Sequence, residues 1–170
     1  QLCKSLSGKR PKGRYQRAVM VVDNSGADIV LGILPFAREL LQSGTVVVLV
    51  ANSMPAINDI TFEELQDVLA TVCTHCSVID RALHTGQLLV VENGFGSPCI
   101  NLGMVTSELA EAVMGADFLL LEGMGRSIHT NLHTRFTCDT LKLAMIKNER
   151  IAQNIFSGQL YDSMCKFETV

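Results

Sequence analysis

No apolar run in this sequence approaches the roughly 18 residues a membrane-spanning helix needs, so a spanning helix is excluded. Nor do residues 1–17 read as a signal peptide, since they are polar and basic where an apolar stretch is required. Charged residues are scarce at 18%, against 48% hydrophobic ones. That balance excludes an extended or disordered chain and fits a heavily covered sheet. There is no GxGxxG after the first apolar run and no GxxxxGK(S/T) anywhere, which argues against dinucleotide-binding and P-loop domains. Six cysteines (3, 73, 76, 99, 138 and 165) are too few for a dense disulfide framework in 170 residues. Their apolar or loop settings suit reduced thiols, so a cytoplasmic location is expected.

Acidic residues are absent before Asp23, whereas Lys4, Lys9, Arg10, Lys12, Arg14 and Arg17 are six of the 14 basic residues. The net charge of −3 therefore hides a basic start and an acidic remainder. Such an arm can contact nucleic acid or anionic lipid. Ser5, Ser7, Gly8, Pro11 and Gly13 instead give residues 1–17 the composition of a linker. Neither a nucleic acid nor a membrane is expected as a partner. The length fits one domain over residues 18–170.

The most informative segment is Ala18-Val19-Met20-Val21-Val22-Asp23-Asn24-Ser25-Gly26. Five apolar residues in a row predict a strand covered on both faces, as in a parallel sheet. Asn24, Ser25 and Gly26 suit a tight turn and N-cap before a helix over 29–41, which Pro35 should kink near Leu31. Further strands are expected at 45–51, 87–91, 117–121, 141–146 and 161–167. Helices are expected at 62–73, capped by Thr61 and Glu64, and at 78–83, from Thr106 or Ser107 to Met114, and at 148–156. This alternation predicts an α/β three-layer sandwich with a mostly parallel, Rossmann-like sheet.

Chemically capable residues follow the strands: Asp23-Asn24, then Asn52-Ser53 and Asp59, then Glu122-Gly123-Met124-Gly125-Arg126. In open parallel sheets the ligand crevice lies at those carboxyl ends. Carboxylates and an amide oxygen suit Mg²⁺ or Mn²⁺; an arginine, a lysine and glycine-rich backbone suit a phosphate. The plainer alternatives are an N-cap at Asn24 and a turn at Asn58-Asp59. Cys73-Thr74-His75-Cys76 lacks the second pair a zinc site needs and reads as a chance CxxC at a helix end. His129 and His133 would share a helix face and could chelate a metal, although lining a pocket or capping a turn, by His129 or Asn131, is the plainer role. Lys147 and Arg150 read as solvated surface.

The runs Val22-Asp23-Asn24-Ser25-Gly26-Ala27-Asp28, Glu122-Gly123-Met124-Gly125-Arg126 and Cys138-Asp139-Thr140-Leu141-Lys142 resemble the subfamily II signatures of metal-dependent damage-control phosphatases. The likeness extends to the phosphatase domain that ends certain pantothenate kinase-like proteins, over residues 18–168. The resemblance implies hydrolysis of 4′-phosphopantetheine and its oxidised or damaged forms, in coenzyme A metabolism, with a divalent Mg, Mn, Co or Ni ion. It places the metal on Asp23, Asn24 and Asp59, and the catalytic carboxylates at Asp23 and Asp59. Asn52, Ser53, Glu122, Gly123, Gly125, Arg126 and Lys142 become the substrate and phosphate contacts. The nucleophile is left open between water and Asp23 itself. Members of the family carry a helical region ahead of the sheet, which this sequence does not show. The alternatives are a non-catalytic regulatory domain, a sugar-phosphate phosphatase and a nucleotide-binding Rossmann domain. The expected partner is a small phosphorylated metabolite, with homo-oligomerisation left open.

Overall fold

The computed structural model describes residues 15–170. Lys4 to Arg14 of the expected basic segment lie outside the described residues, and Arg17 opens the first strand. Six strands form one sheet: β1 (Arg17–Val21), β2 (Val46–Ala51), β3 (Leu88–Glu92), β4 (Phe118–Glu122), β5 (Asp139–Met145) and β6 (Ser163–Glu168). Their order is β3-β2-β1-β4-β5-β6. Every pairing is parallel except β5 with β6. The chain winds one way from β1 to β3 and then returns to place β4 on the other side of β1. The β1/β4 junction is therefore the topological switch point, where such sheets open a crevice.

Alternation along the strands builds a core on each face. Met20 and Val22 of the first apolar run join Val47, Leu49 and Leu120 under α1 (Leu34–Gln42), α2 (Phe62–Cys73) and α3 (Ser77–His84). Val19, Val21, Val48, Val50, Leu119 and Leu121 meet Ile100 and α4 (Ser107–Ala112) on the other face. Each such aliphatic side chain contributes about 1.5–3 kcal/mol on full burial. A charge at Met20 or Leu121 would therefore cost more than most single contacts in the molecule.

Thr61 caps α2 in a reciprocal capping box with Glu64, and Thr106, not Ser107, caps α4. Asn148 caps α5 (Glu149–Phe156). Two expectations need correction. Residues Asp28–Ile33 are a π-helical segment, and Pro35 sits in the first turn of α1, where its missing N–H costs nothing. The irregularity expected near Leu31 is thus a widened π-helical turn just ahead of Pro35. Asn24 is no N-cap either: Ala27 occupies that position with no side-chain cap, and Gly26 makes the turn at φ +75°. No helix among the described residues is long and apolar enough to cross a membrane.

Candidate active site

The crossover from β1 to β2 brings two distant carboxylates together. Asp23 follows β1, and the loop after β2 returns to lie against it. Asn24 and Asp59 form an antiparallel bridge. Ile60 N donates to Asp23 O at 2.9 Å, and Ser25 N donates to Asn58 O at 2.9 Å. Asp23 and Asp59 are each 7% exposed. The turn assigned to Asn58-Asp59 exists, with Asp59 N donating to Ala56 O at 3.0 Å, yet the same turn brings the Asp59 carboxylate against Arg126 and Asn52.

Between them lies Arg126, wholly buried, from the π-helical segment Met124–His129 after β4. Its Nη1 donates to Asp23 Oδ1 and to Pro98 O. Its Nη2 donates to Asp59 Oδ2 and to Asn52 Oδ1, both at 2.9 Å. Only Nε lacks a partner. The expected phosphate fork is therefore a clamp beneath two carboxylates, because four of its contacts are already made within the protein.

Glycines make that closeness feasible. Gly123 has φ +89°, and a Cβ there would fall 2.1–2.3 Å from the carboxyl atoms of Asp23. A Cβ on Gly125 would strike Pro98 O at 2.1 Å. Gly123 does not offer its amide to an anion, since its N–H donates to Leu143 O at 2.9 Å. Glu122 Oε2 accepts from Asp23 N at 3.1 Å. Burial, opposed by Arg126 and reinforced by Asp59, pushes the Asp23 carboxyl up to about 6. Burial likewise pushes Glu122 up to about 7, held back by the Asp23 N–H. Excess negative charge in little water is an environment that favours a bound cation.

A buried amide network holds the clamp. Asn93, 1% exposed, donates from Nδ2 to Asn52 Oδ1 at 2.7 Å. Asn52 in turn donates from Nδ2 to Asp59 Oδ2 and to Ser97 O, each at 3.2 Å. Both ends of the buried Asn52 amide, expected as a phosphate contact, are thus engaged within the protein, and Ser53 Oγ accepts from Gly94 N at 2.7 Å to tie two loops together. Asn93 stands one residue past β3, the strand-end position that singled out Asp23, and sequence reasoning passed over it. Asn93→Asp keeps the acceptor for Phe95 N but removes the donor that fixes the Asn52 amide. It should lower metal affinity about tenfold by calorimetry, as outer-shell partners do, with little further loss when added to Asn52→Ala.

Lys142 is not at the site. It lies fully buried on β5, its Nζ 2.7 Å from Glu168 Oε2 and 2.9 Å from Thr134 O. Lys147, read from sequence as solvated surface, is exposed. Lys147 lines a cleft of about 510 Å³ with Asp23, Asn24, Asp28, Glu122 and Gly123, and its charge lowers the Asp23 carboxyl. Lys142→Met should leave metal affinity and turnover within twofold of wild type, measured side by side. The histidines do not pair: the helical segment ends at His129, and both side chains are exposed. Asn131 instead donates to Arg126 O at 2.9 Å. Cys73 and Cys76 are free thiols near the end of α2.

Among the described residues no group of three or more His, Cys, Asp or Glu is arranged for a metal. The candidate set holds two carboxylates and an amide. Asn24 Nδ2 donates to Asp28 Oδ2 at 2.7 Å, which assigns the amide orientation and leaves its carbonyl oxygen for a ligand. Two carboxylates and one amide oxygen form a hard oxygen donor set, which fits a Mg²⁺-like ion.

A Rossmann-like, mostly parallel sheet with paired carboxylates beside its switch point defines an α/β domain. The chain belongs to the damage-control phosphatase ARMT1-like domain family, whose profile matches residues 3–160. It is 53% identical to a pantothenate kinase 2 of Oryza sativa subsp. japonica over 92% of this chain and 20% of that protein. It is 35% identical to the 4′-phosphopantetheine phosphatase of Mus musculus, over 91% of this chain and 25% of that one. The chain thus spans a quarter or less of the length of these relatives. Its fold matches a crystal structure of a DUF89 family protein from Pyrococcus horikoshii with TM-score 0.61 and 20% identity, over 89% of this chain and 47% of that one.

Proposed function

We propose that the chain is a metal-dependent phosphomonoester hydrolase whose substrate is 4′-phosphopantetheine or an oxidised or damaged form of it. The observation that carries this is the meeting of Asp23 and Asp59, from two strands, on one buried arginine. The name of the mouse relative supports the substrate. Asp23, Asn24 and Asp59 would hold Mg²⁺, Mn²⁺, Co²⁺ or Ni²⁺, which supplies Lewis-acid neutralisation of phosphoryl oxygen charge.

The chain's own residues do the rest. Arg126 fixes one oxygen of each carboxylate, which would leave the other oxygen of each for the ion. Lys147, which lines the same cleft, would offer an ammonium to the phosphate. With the ion held, Asp23 or Asp59 would be the carboxylate that takes a proton from an attacking water. Asp23 is poorly placed as a nucleophile, since Oδ1 is bound to Arg126 and its carboxyl backs onto Gly123. Acid quenching in the first turnover should therefore trap no acyl-phosphate.

The test is hydrolysis of p-nitrophenyl phosphate, 4′-phosphopantetheine and a sugar phosphate with each of the four metals. Turnover only with added metal, and preferentially of 4′-phosphopantetheine, is expected. Preference for the sugar phosphate would overturn the substrate, and inactivity with all four metals would leave a binding domain.

A further inference from the structure

The cleft that holds Asp23 and Lys147 does not end at the phosphate. Its floor continues across the sheet to Leu143, Met145, Ser163, Met164 and Cys165. Glu122 is in register with Leu143, and Leu143 with Cys165. Paired residues of neighbouring strands share a face, so these three form one row leading from the carboxylates to the edge of the sheet. Two strand spacings make that row about 10 Å long. β6 ends the sheet, and Ser163, Cys165 and Met145 are exposed.

We infer that this outer half of the cleft is the subsite for the organic body of the substrate, and that this body is an uncharged, flexible chain spanning the row from Glu122 to Cys165. The inference rests on the phosphatase reading and narrows it. Three features set the chemistry. The floor is aliphatic and thioether surface, with one hydroxyl and one thiol as polar points, which suits an amphipathic chain. Among the described residues lining the cleft, Lys147 is the single cation, and it lies at the phosphate end, near enough to Asp23 to lower its carboxyl. A second anionic group on the distal floor would be desolvated against apolar surface with no counter-ion, so bisphosphates and sugar-acid phosphates are disfavoured. The length matters too, since a compact phosphate ester leaves the distal floor uncovered.

The test uses the full chain and two substitutions at Cys165, which is exposed and outside the catalytic machinery. Cys165→Glu places a charge on the floor, and Cys165→Trp fills it. With metal present, KM for 4′-phosphopantetheine should rise at least tenfold in both, while kcat/KM for methyl phosphate stays within twofold of wild type. Equal effects on both esters, or none on either, would overturn the subsite. Calorimetric binding of 4′-phosphopantetheine separates the two levels of the argument. Wild-type binding that Cys165→Glu abolishes, without turnover by either protein, would sink the phosphatase reading and keep the subsite. Binding indifferent to Cys165 would sink the subsite alone.

Discussion

Arg126→Met should lower the stability of the metal-free chain by about 3 kcal/mol, because a buried pair broken from one side leaves uncompensated charge. Methionine fills much of the volume, so packing is a minor part of the loss. The greater part is electrostatic: Asp23 and Asp59, 7% exposed each, would face one another without the guanidinium. Protonation of one carboxyl limits the cost, since the burial that already pushes Asp23 up to about 6 would push further. At roughly 2–4 °C per kcal/mol for a domain of this size, the unfolding midpoint should fall by about 6–12 °C. Adding Mn²⁺ should recover more stability in this variant than in wild type, because the cation neutralises the same two carboxylates. Arg126→Lys should restore charge but not the fork, and so recover stability better than turnover. A wild-type midpoint for Arg126→Met without metal would mean the clamp does not exist.

Gly123→Ala should be the most damaging single-methyl change in the chain. Backbone at φ +89° strains any L side chain, at about 1–3 kcal/mol. The methyl must also displace the Asp23 carboxyl, which lies within 2.3 Å of where the Cβ would stand. Metal affinity and kcat/KM should therefore each fall at least a hundredfold. Gly26→Ala is the control: φ is +75°, but a Cβ there meets nothing within 4 Å. That variant should lose stability and keep its metal affinity. If the two variants bind metal alike, backbone strain alone explains Gly123 and its contact with Asp23 carries no function.

The sheet was legible because its strands are buried on both faces, so runs such as 18–22 and 46–51 read as continuous apolar segments. The rule that ligands gather past the carboxyl ends of parallel strands then singled out Asp23, Asn24 and Asp59. The same rule, applied consistently, would have chosen Lys147 over Lys142. Lys142 lies mid-strand between Leu141 and Leu143, and alternation turns it away from the face that Glu122 shares. Lys147 follows the end of β5, as Asp23 follows β1. Asn93 escaped because one amide after a strand is indistinguishable from a turn residue until its partner is known. The clamp was hidden for a related reason. A sequence supplies an arginine and two aspartates, but only the crossover shows that the arginine serves the aspartates before any ligand. The π-helical segments have no propensity signature, so their widened turns emerge from packing alone.

Asp59 tests the site and the fold together, since it reaches Asp23 only through the crossover from β1 to β2. The direct measurement is calorimetric titration of Mn²⁺ into wild type and Asp59→Asn. The amide keeps the shape and an acceptor for Arg126 Nη2 but lacks the charge that a divalent cation requires. Wild type should bind one ion, and Asp59→Asn should bind it at least a hundredfold more weakly, with an apo midpoint close to wild type. Unchanged affinity in Asp59→Asn would remove Asp59 from the metal site and contradict the account at its centre.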